Sequence, residues 1–196
     1  MRSIILISAL FIVSCGQKKF DGEIKMLDSL RKEVVKVKED FNALDSIRIH
    51  EMAVEVPAKL ADLNKVYMPD SVNLTISTLV NTFNGYRGYP ASFNLQRLRI
   101  KKEIPYCDSQ LVHLITDLRN NSLKTEDAAK YVAVERKAAT ELCKTFIMLK
   151  NDATKKTLAY DSLNVLVNTL IDSLRSDSLN VQSIRLKLLK SRTKRR

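Results

Sequence analysis

From Ile24 onward the apolar residues return at alternating steps of three and four, Leu27, Leu30, Val34, Val37, Phe41 and Leu44, and charged residues fill the positions between them. That spacing keeps one face of a helix apolar and predicts a bundle helix over residues 24–56, about 50 Å long at 1.5 Å per residue. The seam slips at Arg48 and moves to Ile47 and Val54, which argues against a strict dimeric coiled coil. Pro57 either kinks this helix or opens a new one at its first turn, with PAKLADLNKVY following.

The C-terminal half carries the strongest pattern. Counted from Ala139, the seam runs through Leu142, Phe146, Leu149, Ala153, Tyr160, Leu163, Val167, Leu170, Leu174, Val181, Ile184 and Leu188, and is polar at Lys156, Asp177 and Ser191. Thirteen of sixteen seam positions are apolar, a regularity that requires helix almost to the C-terminus; Ser176-Asp177-Ser178 is the place where an interruption would fall, and continuity through Asp177 stays open. Upstream, a helix from Asp108 carries Leu111, Leu114, Ile115 and Leu118. RNNSLKT then makes a turn, with Thr125 as the expected N-cap of the next helix.

Between 68 and 105 the chain is more broken. Asp70-Ser71 has the form of a helix start, with Val72, Ile76, Leu79, Val80 and Phe83 as its apolar face, and NGYRGYP at 84–90 has the composition of a loop. Residues 93–103 fit a helix better than a strand because no partner strand is visible. All four prolines and all four glycines fall before residue 106, which favours long helices after it. The fold class that follows is all-α: an elongated helical bundle with long heptad-patterned N- and C-terminal helices, three to four in number. Seven Asp-Ser pairs, at 28, 45, 70, 108, 161, 172 and 177, share no period and read as caps and polar-face pairs.

A chain of 196 residues with 45% apolar side chains can bury a core without metals or disulfides. Its net charge of +11 invites a nucleic-acid reading, but the charge is unevenly spread. Arg185, Lys187, Lys190, Arg192, Lys194, Arg195 and Arg196 form a basic tail with no acid among them, and without that tail and Arg2 the remainder carries +3. A nearly balanced body makes nucleic acid a poor fit. The tail is a candidate contact for an anionic surface, whether a polyanion, acidic lipid headgroups or, in a weaker form, export substrates held by a basic helical chaperone. Should the last helix run back toward the N-terminal end, the tail would meet the same membrane as the anchor described next.

Residues 4–13, IILISALFIV, are too few to span a bilayer and have the size of a signal-peptide core, with Arg2 in front and Ser14 before Cys15. Ile12-Val13-Ser14-Cys15 resembles the lipobox of bacterial lipoproteins. The resemblance implies that residues 1–14 are a cleaved leader, that Cys15 carries a covalent lipid as the first residue of the working protein, and that the chain resides in a bacterial cell envelope, lipid-anchored and facing the periplasm or exterior. Multiple acyl chains give the stable attachment that one chain does not. Residues 15–20 then form a lipidated linker, 21–184 the bundle domain and 185–196 the tail.

Lipidation of Cys15 leaves Cys107 and Cys143. A hairpin turning near residue 123 brings them within about one helical turn, so a disulfide and a pair of buried free thiols both remain open. His50 and His113 lie on different helices without supporting ligands at metal spacing, so no metal site is expected. No phosphate loop, nucleophile elbow or paired-cysteine motif is present, and neither a catalytic residue nor a cofactor beyond the lipid is expected. Tyr86, Arg87 and Tyr89 are a candidate binding loop, against the simpler reading that the tyrosines pack on the bundle end. The combined expectation is a membrane-anchored structural or protein-interaction scaffold. Its expected partners are membrane lipid through the anchor, an envelope protein, and a second copy through a heptad seam.

Overall fold

A computed structural model describes residues 19–67 and 73–193, with side chains described through Ser176. Five helices make up the fold: α1 (Asp21–Asn42), α2 (Ile47–Val66), α3 (Leu74–Asn84), α4 (Tyr89–Arg119) and α5 (Thr125–Thr193). Among the described residues there is no strand. The chain is an all-α, elongated helical bundle.

The five helices form three columns. α1 and α2 stack end to end, α3 and α4 return beside them, and α5 runs the whole length. Directions follow from side-chain pairs. Asp40 meets Lys150 at 3.1 Å, Arg48 meets Asp161 at 2.7 Å, and Asp62 meets Arg175 at 3.1 Å, so α1 and α2 rise parallel to α5. Asp28 pairs with Arg119 at 3.0 Å and Arg31 with Asp108 at 2.8 Å, so α4 is antiparallel to α1. The first two columns, residues 21–66 and 74–119, each span about 70 Å, and α5, at 69 residues, about 100 Å.

Both shorter columns break at the same height. Between α1 and α2, Asp45 accepts a hydrogen bond from the Ile47 amide at 2.8 Å, a local alternative to helical bonding that ends one helix and starts the next. The single helix expected over 24–56 is therefore two. The break resets the register: the buried face of α2 is Ile49, Met52, Val56 and Leu63, while Ile47 and Val54, the expected seam, are 68% and 73% exposed. Pro57 neither starts nor ends a helix. It lies inside α2 on the exposed face, where the carbonyl it leaves unbonded meets water.

The break between α3 and α4 is the turn 85–88, shorter than the expected loop, because α3 extends through Asn84 and α4 begins at Tyr89 with Pro90 in its first turn. α4 is continuous over 31 residues, through both the ambiguous segment 93–103 and an exposed Pro105, so no separate helix starts at Asp108. Asn73 caps α3, its side chain accepting from the Ile76 amide; the expected start at Asp70-Ser71 lies outside the described residues. Asn121, at φ 51°, turns α4 into α5, and the Ser122 amide bonds back to the Asp117 carbonyl at 3.0 Å. Thr125 is the first helical residue rather than the cap. α5 runs on through Ser176-Asp177-Ser178 to Thr193 without interruption, which decides the open question of its continuity.

The core is apolar along its length. Ile24, Leu27, Val34, Val37 and Phe41 of α1 face Ala139, Leu142, Phe146, Leu149 and Ala153 of α5, with Ile100, Ile104, Leu111, Leu114 and Leu118 of α4 closing the third side. Among the described residues no charged side chain is fully buried. Three of the Asp-Ser aspartates, Asp28, Asp108 and Asp161, clamp helix to helix on the rim of this core.

Candidate functional site

At the height where the two columns break, α5 continues alone, and aromatic and charged side chains fill the gap. This waist is built around Tyr160, which is fully buried although it carries a hydroxyl. Its ring stacks on Phe83 at 5.7 Å and meets Tyr86 at 5.6 Å, and the Arg48 guanidinium lies 5.0 Å over its face. Its hydroxyl donates to Glu55 at 2.6 Å. Glu55 also accepts from Arg48 at 3.0 Å and from Asn164 at 3.2 Å, and Lys59 stands 3.9 Å away. Arg48 further bonds Glu51 at 2.8 Å and Asp161 at 2.7 Å.

The surroundings bias each ionisable group of this network toward one charge form. Burial pushes the Glu55 carboxyl up, but the hydrogen bonds from Tyr160 and Arg48 and the charges of Arg48 and Lys59 outweigh it and hold it below the usual value of 4.5. The bond to Glu51 leads in strengthening the charged form of Arg48, against burial, and those to Asp161 and Glu55 add to it. Burial first, then the bond to Glu55, raises the Tyr160 hydroxyl well above its ordinary range. A proton-transfer group works best with a pKa near the working pH, and all three are driven away from neutrality. The arrangement is a structural clamp between α2 and α5.

Tyr86 and Tyr89 sit on the rim of the same waist. Both are half-buried; Tyr86 leans on Tyr160, and Tyr89 lies 6.3 Å from Phe93. Lys156 of α5 reaches over both rings, its Nζ 5.7 Å from Tyr86 and 6.0 Å from Tyr89. Arg87 is exposed. A cavity of 370 Å³ opens here, lined by Thr82, Gly85, Gly88, Ser92, the two tyrosines and Lys156. Burial raises the Tyr86 hydroxyl, and burial followed by Asp152 raises that of Tyr89.

Two further cavities lie end to end in the outer groove between α4 and α5. One of 290 Å³ is lined by Gln110, His113, Leu114, Asp117, Leu123, Tyr131 and Glu135. The next, of 440 Å³, shares Glu135 and is walled by Arg99, Glu103 and Tyr106 on one side and Glu141 and Thr145 on the other, with Cys107 and Leu142 beneath. Arg99 and Glu103 pair at 2.8 Å. Sequence reasoning missed this groove because it depends on the α4–α5 register.

Cys107 and Cys143 are both free thiols. Burial, then Glu135, then Cys143, pushes Cys107 up to about 11, and burial, then Glu33 of α1, raises Cys143. Neither is a thiolate nucleophile near neutral pH. His50 is exposed and its Nδ1 lies 2.6 Å from the Ser46 carbonyl, whereas His113 faces the α4–α5 groove. Among the described residues no three His, Cys, Asp or Glu converge as a metal site, and no helix is long and apolar enough to cross a membrane. Cys15 lies outside the described residues. So do Lys194, Arg195 and Arg196 and the side chains of Arg185, Lys187, Lys190 and Arg192.

Comparison of the chain with protein-family models, with curated proteins and with solved structures finds no match.

Proposed function

We propose that this chain is a lipid-anchored envelope protein whose rod-like bundle serves as a structural or protein-interaction scaffold, with Cys15 as its acylated first residue. The observation that carries the reading is the start of α1 at Asp21, six residues after Cys15, with α5 parallel to it for the full length of the rod. A bundle rooted so close to its anchor holds its far end about 70 Å or more from the lipid surface. The waist favours the same role, since its bonds tie α2 to α5 at the point where two of three columns break.

The direction of α5 bears on the tail. α5 carries the start of the basic segment, Arg185 to Thr193, away from residue 21, so an acidic surface met by the tail would not be the leaflet that holds the proposed anchor.

Two measurements test the scaffold. Mass spectrometry of the membrane fraction is expected to find an N-terminal peptide beginning at acylated Cys15; a peptide beginning at Met1, or at unmodified Gly16 or Gln17, overturns the anchor. Cross-linking in the native cell is expected to capture a protein partner through the outer helix faces. Capture of lipid and nothing else overturns the scaffold.

A further inference from the structure

The groove between α4 and α5 is the unfilled fourth position beside a three-column bundle. Its two cavities lie end to end and are lined along α4 from Arg99 to Asp117, about 27 Å at helical rise. Tyr106 and Tyr131 stand exposed on its walls, and Cys107 and Leu142 lie beneath, the apolar relief that receives an amphipathic helix. Its charge is opposite to that of the protein as a whole. Arg99 and Glu103 neutralise each other. Asp117, Glu135 and Glu141 remain, and none of these three has an ion pair among the described residues. Burial raises the Glu135 carboxyl, the state of an acid that gains from a cation brought beside it.

We infer that this groove receives residues 177–196 of a second copy of the chain. Charge and length both fit. That segment holds seven basic residues from Arg185 onward against one acid, Asp177, and its apolar positions Val181, Ile184 and Leu188 recur at helical spacing. Its 20 residues span about 30 Å as a helix, close to the length of the groove wall. The occupant is not the chain's own tail. α5 forms one wall of the groove and continues as a single helix, so Asp177 lies about 48 Å beyond Thr145 along the same axis.

Groove and tail lie at opposite ends of the rod, so the two copies lie antiparallel, and exchange of both tails closes a two-fold dimer. Copies anchored as proposed above would meet in this way only from facing membrane surfaces. The inference names the partner for the interaction reading, yet its test needs no anchor, so the two stand or fall separately.

The test uses the chain from residue 15 onward with Cys15→Ala. Sedimentation at low salt is expected to show a monomer–dimer equilibrium that weakens on the order of tenfold or more as salt is raised several-fold. Truncation after Ser176, and the reversal Glu135→Lys with Glu141→Lys, are each expected to abolish it. Reversal of Lys187 and Lys190 to Glu is expected to abolish it too, and combining that with the groove reversal to restore it, which a misfolded variant could not do. Glu23→Lys, outside the groove, is expected to leave it unchanged. A labelled peptide of residues 177–196 is expected to bind the wild-type chain and not the groove-reversed one. A chain that stays monomeric at every concentration, or a dimer indifferent to both reversals, overturns the inference. So does a peptide that binds acidic phospholipid vesicles but not the chain.

Discussion

Below the waist, three helices press apolar faces together over the whole of α1. Above it, α2 brings Ile49, Met52, Val56 and Leu63 to α5, but α3 brings Phe83 as its one buried residue among those described, with Ile76, Leu79 and Val80 half-buried. The same seam of α5 runs through both halves, so the difference lies in what its neighbours offer. The lower half holds itself together by area removed from water. In the upper half α2 keeps such an apolar face, but α3 holds on through little more than one aromatic stack, so stability there is concentrated where the lower half's is spread.

The largest effect is expected from a cut in the lower core. Phe146 is buried against Phe41 at 6.3 Å, so Phe146→Ala should cost about 4 kcal/mol and lower the melting temperature of the whole chain by roughly 10 °C. Thermal unfolding by circular dichroism checks it. A loss below about 1 kcal/mol would show that the lower half does not act as one core.

Phe83→Ala removes comparable area, about 3 kcal/mol, with a different readout. Since α3 has no other buried residue, its loss is expected to be local: amide exchange should rise over 74–84 while 24–41 and 100–118 keep their protection. Uniform loss of protection would erase the contrast between the halves.

The clamp comes next. Tyr160→Phe keeps the ring and removes the bond to Glu55, a charged acceptor left with one donor fewer, at about 2 kcal/mol. Glu55→Gln tests the same network through acid. Because the Glu55 carboxyl is held below its usual 4.5, its contribution is fully present above that value and is lost as pH falls through the depressed one. Denaturant midpoints measured from pH 6 to 3 should therefore fall less steeply for Glu55→Gln than for the natural chain, and parallel slopes would remove Glu55 from the acid response.

The contrast between the halves also explains what could be read ahead of the structure. The lower half was legible because repetition carries it: Leu27, Val34, Val37 and Phe41, and Leu142, Phe146 and Leu149, repeat at helical spacing and are buried in that register. The waist was not, because its partners are far apart in the chain, Arg48 with Asp161 and Glu55 with Tyr160, and no local period links them. One signal was available. A tyrosine in a largely apolar seam needs a partner for its hydroxyl, and an acid on the facing helix is the natural one. The readings of Cys15 and of the basic tail rest on a short motif and on composition alone and lie outside what the fold bears on.

The smallest expected effect addresses the register itself. Read as one helix from 24 to 56, the seam passes to Val54 and makes it a core residue, and burying a lysine there would cost several kcal/mol. In the fold the break at 43–46 shifts the phase, Met52 and Val56 point inward, and Val54 is 73% exposed. Val54→Lys should therefore change stability by less than about 0.5 kcal/mol, with lysine's better helix propensity offsetting any lost contact. Met52→Lys, two residues earlier in the same helix, should unfold α2. If the two variants behaved alike, no phase shift would separate α1 from α2, and the waist would lose the break that it exists to bridge.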